Sequence, residues 1–322
     1  MRTFLILNYG SSSIKIALYT ENLSEIKKYN IKDINPENFE EHLKYITNII
    51  EKDIDIFIHR VVHGMDHQSP FLIDDNGIEI LKILADINPL HNKISLKGIE
   101  FFKDQYPYGV HYAVFDTDFH RTIPEYSRIY GINVDFYKKG IKKYGFHGIS
   151  YSYVLRKISE FLNKKNPNLI ILHLGSGCSI CAIKEGKSID TSMGFSPLEG
   201  LIMQNRSGDI DPGLVLYLLK KGYIDHEDLY FRSGFTSIAK VKNFSELEEK
   251  YLLGENLGVL AMESFIHRIV KYIGSYYILL NDIDGIVFTG GIGEKSSLVR
   301  RLICEKIKPI GINIDDQKNK NN

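Results

Sequence analysis

The sequence has few of the features that mark secreted, membrane-bound or nucleic-acid-binding proteins. It has only three cysteines, Cys178, Cys181 and Cys304, and they lack the even number and the spacing of a disulfide framework. This use of cysteine is typical of proteins in a reducing compartment. Forty basic residues balance forty acidic ones, so no excess positive charge would attract nucleic acid or an anionic membrane. No apolar run reaches the roughly 18 residues of a membrane span or forms a signal peptide. We therefore expect a cytoplasmic protein with no nucleic-acid and no membrane partner.

No segment rich in proline, glycine and serine divides the chain, although 322 residues exceed one typical core. Short β-branched apolar runs alternate instead with helical patterns, which predicts an α/β protein with parallel sheets. The predicted strands are Thr3–Leu7, Ile14–Tyr19, Asp55–Val62, Tyr112–Phe115, Leu169–Leu174, Ile180–Ile183 and Gly285–Thr289. The longest helical pattern, Ser245–Leu280, is expected to break near Gly254, and the polar tail 315–322 is expected to be disordered.

One segment recurs after about half the chain. Residues 5–13 (LILNYGSSS) and 170–178 (IILHLGSGC) align with Asn8 opposite His173 and Gly10 opposite Gly175. Each combines a strand, a polar residue, a turn of glycine and serine, and a second strand. Glycine lets the backbone approach an oxyanion, and successive N–H groups then point to it. With a third glycine-rich turn after the strand that ends at Thr289, the pattern predicts a duplicated domain with phosphate-binding turns, although none fits the P-loop motif.

Six further segments combine charged or polar residues with the character of buried strands. They are residues 59–64 (HRVVHG), 88–92 (NPLHN), 114–120 (VFDTDFH), 144–148 (YGFHG), 190–200 (DTSMGFSPLEG) and 205–212 (NRSGDIDP). Taken singly, each could form a structural ion pair or part of a cleft. Taken together, they resemble the acetate kinase family of the sugar kinase and actin superfamily, and the resemblance runs from Met1 to about Asp316.

The resemblance implies duplicated ribonuclease-H-like (actin-like ATPase) domains that flank a nucleotide cleft. An N-terminal acetokinase domain would cover residues 1–120 and a C-terminal nucleotide-binding domain residues 121–322. The implied reaction is reversible transfer of the γ-phosphoryl group of ATP to acetate, giving acetyl phosphate and ADP. The implied metal ion is Mg²⁺, with Mn²⁺ as an alternative, and the implied assembly is a homodimer.

Site residues follow from the same resemblance. Arg60 and Arg206 match the family's active-site arginines, which can grip a carboxylate or phosphoryl group. His147 matches a histidine that donates to a phosphoryl oxygen, and Asp116 matches a catalytic aspartate that helps to hold Mg²⁺ or orient the acceptor. The residues implied for substrate binding are Arg60, Val62, Leu90, Phe146 and Pro197, and the four apolar ones would line a methyl pocket or simply pack in the core. The residues implied for nucleotide binding are Ser11, Ser13, Lys15, His173, Leu174, Gly175, Ser176, Gly177, Gly291, Ile292, Gly293, Glu294 and Lys295, and Asn8 is implied near the metal.

The chain departs from the family's pattern in three places. Ser176 replaces an asparagine, a mild change because both side chains donate hydrogen bonds. An Asp-x-Arg element expected near residues 242–247 is missing and Glu246 stands close to the lost arginine, so weaker nucleotide binding is expected. The family's final strand, Asn-Glu-Glu turn and helix, with a glutamate that helps to place Mg²⁺, have no counterpart after Asp316.

Two alternatives to an acetate kinase stay open. A propionate or butyrate kinase would share this scaffold, because one methylene in an apolar pocket is worth only about 1–3 kcal/mol. A remnant with weak or no activity could bind nucleotide or acetyl phosphate without turning it over.

Overall fold

A computed structural model describes residues 2–10, 13–35, 37–50 and 54–321, and for Leu90 the backbone only. The chain divides into two units, residues 1–118 and 119–322, and each unit has its own sheet. The strands of unit 1 are β1 (Thr3–Tyr9), β2 (Ser13–Thr20), β3 (Glu25–Lys32), β4 (Ile56–Val61), β5 (Phe71–Leu72) and β6 (Val110–Phe115). Its helices are α1 (Phe39–Ile49), α2 (Asp75–Ile87) and α3 (Pro89–Gln105).

The sheet of unit 1 has the order β3-β2-β1-β4-β6-β5. Strands β1, β2 and β3 are antiparallel neighbours, whereas β4 pairs parallel to β1 and β6 pairs parallel to β4. Buried residues alternate along β1 and β2, as expected for strands with one face on a core. Helix α1 turns Phe39, Leu43 and Ile46 toward that core at helical spacing. Because β1, β4 and β6 are parallel neighbours, their carboxyl ends lie side by side at one edge of the sheet.

Unit 2 contains the remaining strands β7 (Leu169–Leu174), β8 (Cys178–Lys184), β9 (Lys187–Thr191) and β10 (Gly285–Thr289). Its helices are α4 (Glu125–Arg128), α5 (Val134–Lys138), α6 (Gly148–Leu162), α7 (Pro212–Lys221), α8 (Asp228–Phe231), α9 (Gly234–Ala239), α10 (Phe244–Leu252), α11 (Asn256–Leu280), α12 (Gly290–Lys295), α13 (Ser297–Ile307) and α14 (Asp316–Lys320). Strands β7 and β8 are buried almost throughout, because helix α6 packs on the sheet through Tyr151 and Val154 and helix α11 also contacts both strands.

The four-stranded sheet of unit 2 repeats the arrangement of β3, β2, β1 and β4 in the six-stranded sheet of unit 1. Its order is β10-β7-β8-β9, with β7, β8 and β9 antiparallel and β10 parallel to β7. In both units a strand of the repeated segment leads a three-stranded meander and is flanked on its other side by a parallel strand. The duplication predicted from the repeat is therefore confirmed.

The predicted strands all fall on observed strands, and the long helical pattern breaks where expected, between Leu252 and Asn256. The prediction of a disordered tail is wrong for the residues that form α14. Asp315 caps this helix by accepting from the backbone N–H groups of Gln317 and Lys318, and Asn319 is buried against Arg300. Local capping and one buried contact thus order a segment whose composition is typical of disorder.

Candidate active site

Three polar residues of unit 1 lie at the carboxyl ends of neighbouring parallel strands. Asn8 is the penultimate residue of β1, Arg60 is the penultimate residue of β4, and Asp116 directly follows β6. These strands are adjacent and parallel, so their carboxyl ends meet at the edge where α/β sheets bind ligands. The sheet therefore brings together residues predicted for metal binding, carboxylate binding and catalysis.

Arg60 and Asp116 form a bidentate ion pair in this group. Nε of Arg60 donates to Oδ1 of Asp116 at 2.9 Å, and Nη2 donates to Oδ2. Nη1 of Arg60 donates to Oδ1 of Asn8 at 3.0 Å. Asp116 is buried, and its negative charge raises the pKa of Arg60. The Nε and Nη2 groups of Arg60, which were expected to bind the substrate, thus bind Asp116. Only the remaining N–H groups of Arg60 are left for a ligand.

Hydrogen bonds to Asn92 and Thr117 fix the loop after β4. Oδ1 of Asn92 accepts from the backbone N–H of His63 at 3.0 Å, and the Asn92 amide donates to the His63 carbonyl at 2.8 Å. The N–H of Gly64 donates to Oγ1 of Thr117 at 3.1 Å. A Cβ on Gly64 would lie 2.2 Å from the ring of Phe115, so a larger residue would displace that ring. Three of the six polar segments are therefore joined in unit 1.

The first glycine-rich turn connects β1 to β2. The N–H of Gly10 donates to the carbonyl of Ser13 at 2.8 Å and closes the turn. Lys15 is exposed and lies opposite Asn8 in the β1–β2 ladder. Ser11 lies outside the described residues.

The second glycine-rich turn, residues 175–177, connects β7 to β8 in unit 2. The N–H of Gly175 donates to the carbonyl of Gly177 at 3.1 Å and closes this turn. Ser176 is exposed at the tip of the turn, and its carbonyl accepts from the N–H of Gln204 at 3.2 Å.

The third glycine-rich turn begins helix α12 directly after β10. Gly290 has a φ of +79°, and a Cβ there would lie 2.6 Å from the carbonyl oxygen of Leu174, so the position requires glycine. Oε1 of Glu294 accepts from Oγ1 of Thr289 at 3.1 Å and from the N–H of Gly290 at 3.2 Å. Of the other predicted residues here, Gly291 and Lys295 are exposed, and Ile292 and Gly293 are buried.

A cavity of about 300 Å³ is bordered by the second and third turns. Its lining residues are Gly175, Ser176, Gln204, Asn243, Phe244, Ser245, Glu248, Gly291, Ile292, Lys295 and Ser296. Backbone N–H groups of glycine turns together with a lysine ammonium suit the phosphates of a nucleotide. A larger cavity of about 1110 Å³ lies at the amino-terminal ends of the unit 1 strands and is lined by none of the predicted residues.

His147 and Arg206 converge on the second turn. A Cβ on Gly177 would lie 3.4 Å from both Nε2 of His147 and Nη1 of Arg206. Nη1 of Arg206 also donates to the carbonyl of Pro197 at 3.1 Å. Burial lowers the pKa of Arg206, and none of the described carboxylates pairs with this guanidinium. A largely desolvated cation without a counter-ion is costly unless an anion binds beside it, so the arrangement suits a phosphoryl group.

The backbone at His147 is held in the left-handed region, with φ +60° and ψ +17°, at the start of α6. Its ring stacks on that of His173, with 4.2 Å between the ring centroids. Buried His120 donates through Nε2 to the carbonyl of Phe146 at 2.9 Å, and its Nδ1 is hydrogen-bonded to the Ser188 hydroxyl at 2.9 Å. These neighbours, which the sequence motif alone did not identify, stabilise the unusual turn that carries His147.

The four apolar residues predicted for the methyl pocket belong to both units. Val62 is half-buried in unit 1, and the side chain of Leu90 in α3 lies outside the described residues. Phe146 and Pro197 are buried in unit 2. Their role in a methyl pocket stays a prediction.

The segment that lacks the expected arginine forms the start of helix α10. Asn243 caps the helix by accepting from the N–H of Glu246 at 3.1 Å, and Oε2 of Glu246 accepts from the N–H of Lys242 at 2.9 Å. This arrangement is similar to a capping box. The Glu246 carboxylate is thus engaged at a helix start, and its effect on nucleotide affinity stays a prediction.

Neither a metal centre nor a membrane span is found in the part of the chain that the structure describes. No group of three or more His, Cys, Asp and Glu side chains there is arranged to hold a metal ion. No helix there is long and apolar enough to cross a membrane.

The four-stranded arrangement shared by the two units, with its glycine turns, is that of a phosphotransferase of the duplicated actin-like ATPase fold. The acetokinase family model matches residues 37–322. The chain is 38% identical over 353 residues to an acetate kinase of Campylobacter jejuni, covering 98% of this chain and 89% of that protein.

Solved structures agree with this assignment. The chain resembles a propionate kinase from Francisella tularensis, with a TM-score of 0.91 and 36% identity over 100% of this chain and 92% of that one. It also resembles the Porphyromonas gingivalis acetate kinase, with a TM-score of 0.87 and 30% identity over 99% of this chain and 90% of that one. The chain belongs to the acetokinase family, and it is a kinase with a carboxylate acceptor.

Proposed function

We propose that this kinase is an acetate kinase, which transfers the γ-phosphoryl group of ATP reversibly to acetate and gives acetyl phosphate and ADP. In the forward direction an acetate oxygen forms a bond to the γ-phosphorus, and the bond from that phosphorus to the bridging oxygen of ADP breaks. The observation that carries the proposal is the guanidinium of Arg206, which has no carboxylate partner among the described residues and lies with Nε2 of His147 beside the glycine turn 175–177.

Within unit 2, the proposed nucleotide site is the cavity between the second and third turns. The N–H groups of the turns and the Lys295 ammonium would bind the phosphates of ATP or ADP. Arg206 and His147 would donate to the oxygens of the transferred phosphoryl group and stabilise the charge that builds up there. This is electrostatic positioning, which phosphoryl transfer requires more than it requires covalent chemistry.

Within unit 1, Arg60 would bind the carboxylate acceptor. Asp116 fixes the plane of the guanidinium through two hydrogen bonds, so the remaining N–H groups of Arg60 point in defined directions toward a carboxylate. The domain division at residue 120 and the methyl pocket of Val62, Leu90, Phe146 and Pro197 remain part of the same proposal.

Mg²⁺, or Mn²⁺ in its place, is the metal ion that we propose for this reaction. Asn8 and Asp116 both accept hydrogen bonds from the Arg60 guanidinium in unit 1. Their amide and carboxylate oxygens are ligands of the kind that fits Mg²⁺. Few protein ligands are needed, because Mg²⁺ at kinase sites is held largely by nucleotide phosphates and water. When bound, the ion would neutralise phosphate charge.

A propionate kinase is the alternative that one similar structure, the Francisella tularensis propionate kinase, supports. An inactive remnant is a poorer proposal, because the polar residues of both units keep defined partners and the half-buried cation of Arg206 remains beside the second glycine-rich turn. We further propose a cytoplasmic location, supported by three cysteines that are all unpaired, and a homodimer, supported by an exposed apolar helix α7.

The test is acetyl phosphate formation trapped with hydroxylamine, with acetate, propionate and butyrate as acceptors. Acetate should give the highest kcat/KM, and Arg206→Ala should lower kcat by at least about 10²-fold, as loss of one preorganised donor does elsewhere. Arg232→Ala is the matched control, because Arg232 is exposed and pairs with carboxylates on the surface. A wild type that phosphorylates none of the three acids, or an Arg206→Ala variant with full activity, would contradict the proposal.

A further inference from the structure

A buried hydrogen-bond relay lies behind His147 in unit 2. Nδ1 of His147 is 2.8 Å from the hydroxyl oxygen of Ser179 on β8. The same oxygen is in short hydrogen-bond contact with the hydroxyl of Tyr151 on α6. Ser179 and Tyr151 are completely buried, so water cannot supply alternative partners. The relay consists of His147, Ser179 and Tyr151.

The direction of the relay follows from the number of protons that its members have. Within the described residues, Ser179 Oγ is the one side-chain hydrogen-bond partner of the Tyr151 hydroxyl. A buried tyrosine hydroxyl normally donates, so Ser179 accepts from Tyr151 and gives its own single proton to Nδ1 of His147.

An acceptor role for Nδ1 determines where the proton of the neutral imidazole lies. It must lie on Nε2, the atom that faces Gly177 together with Nη1 of Arg206. An imidazolium would donate from Nδ1–H to Ser179, so that Ser179 would accept from both neighbours and its own buried proton would have no acceptor among these side chains. The relay therefore favours a neutral ring with an Nε2–H donor beside the second turn.

We propose that Ser179 and Tyr151 are positioning residues that fix the Nε2–H tautomer of His147, so that His147 acts as a neutral hydrogen-bond donor to the transferred phosphoryl group. The role toward the phosphoryl group rests on the proposed function. The tautomer itself is a property of the free protein and is tested without substrate.

The stacked neighbour of His147 provides a matched control. Nδ1 of His173 is 2.9 Å from the hydroxyl of Ser150, so each ring of the stack is held by one serine. Ser150→Ala removes a serine–histidine hydrogen bond from the same stack but leaves the His147 relay intact. Its effect separates a change in tautomer from a general loosening of the stack.

The direct experiment is ¹⁵N NMR of histidine-labelled protein near neutral pH, with the His147 signals assigned by their loss in His147→Gln. Wild type and Ser150→Ala should show His147 protonated on Nε2 alone. Ser179→Ala and Tyr151→Phe should each give a mixture of the two neutral tautomers, and Ser179→Thr should restore the single form. A wild-type ring protonated on Nδ1, or a single Nε2–H tautomer that survives both Ser179→Ala and Tyr151→Phe in folded protein, would overturn the proposal.

Kinetics test the link to the reaction. Ser179→Ala should lower kcat roughly 10- to 100-fold, the range known for partners that orient metal-bound histidines, while the KM for ATP changes by less than about threefold. Tyr151→Phe should have a smaller effect in the same direction, and Ser179→Thr should recover most of the rate. Unchanged kcat in both variants would refute the catalytic role. A wild type without kinase activity would refute the proposed function alone, because the NMR result would still stand.

Discussion

At the scale of single residues, the two arginines of the candidate site differ in their partners. Arg60 donates two hydrogen bonds to Asp116 and one to Asn8. Arg206 has a carbonyl partner but no carboxylate among the described residues. Asp116 fixes the guanidinium of Arg60, whereas Arg206 would gain from a bound anion that offsets its desolvation.

Replacement of Asp116 by asparagine tests this difference. Asp116→Asn keeps the shape of the side chain but removes the charge that fixes Arg60, so kcat should fall by at least about 10²-fold. Nucleotide affinity should stay within a few-fold, because the proposed nucleotide cavity is lined by unit 2 residues. The free energy of unfolding should fall by about 1–3 kcal/mol, the value of a buried charged hydrogen bond.

Acetyl phosphate formation, nucleotide titration calorimetry and circular dichroism measure these effects. Asp104→Asn, at an exposed position, is the control. A lost circular dichroism signal in Asp116→Asn would indicate a purely structural aspartate, and an unchanged kcat would remove it from the mechanism.

Much of this site could be predicted from short motifs, because strand ends and glycine turns are encoded locally. Asn8, Arg60 and Asp116 meet because their strands are neighbours, which is what a parallel α/β pattern predicts. The hydrogen bond between His147 and Ser179 could not be predicted, since Ser179 lies on another element and has no distinctive local pattern. That Arg60 binds Asp116 also depends on the strand register, which the motifs do not fix.

At the scale of elements, helix α14 shows how a polar segment is ordered by one buried contact. Arg300 donates through Nε to Oδ1 of Asn319 at 2.7 Å and through Nη2 to its carbonyl at 2.7 Å. Nη1 of the same arginine donates to the carbonyls of Gly293 at 2.9 Å and Glu294 at 2.6 Å in the third turn. Helix α14 is thereby connected to the proposed nucleotide site through one guanidinium. Composition could not predict this contact, because Arg300 lies in another helix.

Asn319→Ala should therefore weaken both the fold and the nucleotide site. It removes an acceptor from buried Arg300 and a donor to the carbonyl of Ser297, and it should lower the free energy of unfolding by about 1–3 kcal/mol. ATP should bind several-fold more weakly, because Arg300 then holds the third turn less firmly. Urea unfolding and calorimetric ATP titration provide the measurements, with exposed Lys318→Ala as the control. Equal ATP affinity in wild type and Asn319→Ala would disconnect α14 from the nucleotide site.

A second element-scale feature is a buried histidine pair between β4 and β6. Nε2 of His59 is 3.0 Å from Nδ1 of His111, and Nδ1 of His59 is 3.0 Å from the hydroxyl of Tyr9. Burial lowers the pKa of His59 well below its usual value and lowers the pKa of His111 to about 4. Both rings are therefore neutral in the folded protein at pH 7.

The pair predicts loss of stability in mild acid. Between the unfolded pKa of about 6.5 and the folded pKa of about 4, the unfolded chain binds protons that the folded chain does not, so stability falls as pH decreases. The slope should approach about 1.4 kcal/mol per pH unit for each histidine. Urea unfolding at pH 7.0, 6.0 and 5.0 measures it. His111→Phe should reduce the slope and exposed His226→Gln should not, and a wild-type free energy that is constant from pH 7 to pH 5 would contradict the prediction.

At the scale of the whole molecule, one apolar surface has no partner within the described chain. Helix α7 has no buried residue, although half of its ten residues are leucine or tyrosine, and Leu216 and Tyr217 are 68% and 52% exposed. A helix of ten residues is marginal alone, and exposed apolar patches mark association sites. A second copy of the chain is the occupant that the family resemblance implies.

If α7 lies in that interface, Leu216→Glu should weaken the homodimer. The carboxylate would have to be desolvated against apolar side chains of the partner, so the dissociation constant should rise at least about 10-fold, the effect expected of an interface residue that contributes more than about 1 kcal/mol. Ile83→Glu is the matched control, because Ile83 on α2 is 62% exposed and its exposed neighbours Glu79, Lys82 and Asp86 are charged. Sedimentation velocity over a range of concentrations distinguishes the outcomes. A monomeric wild type would refute the homodimer, and a Leu216→Glu dimer as tight as wild type would place the interface elsewhere. A dimer that dissociates only in Leu216→Glu, with unchanged circular dichroism, would assign the exposed face of α7 to the subunit contact.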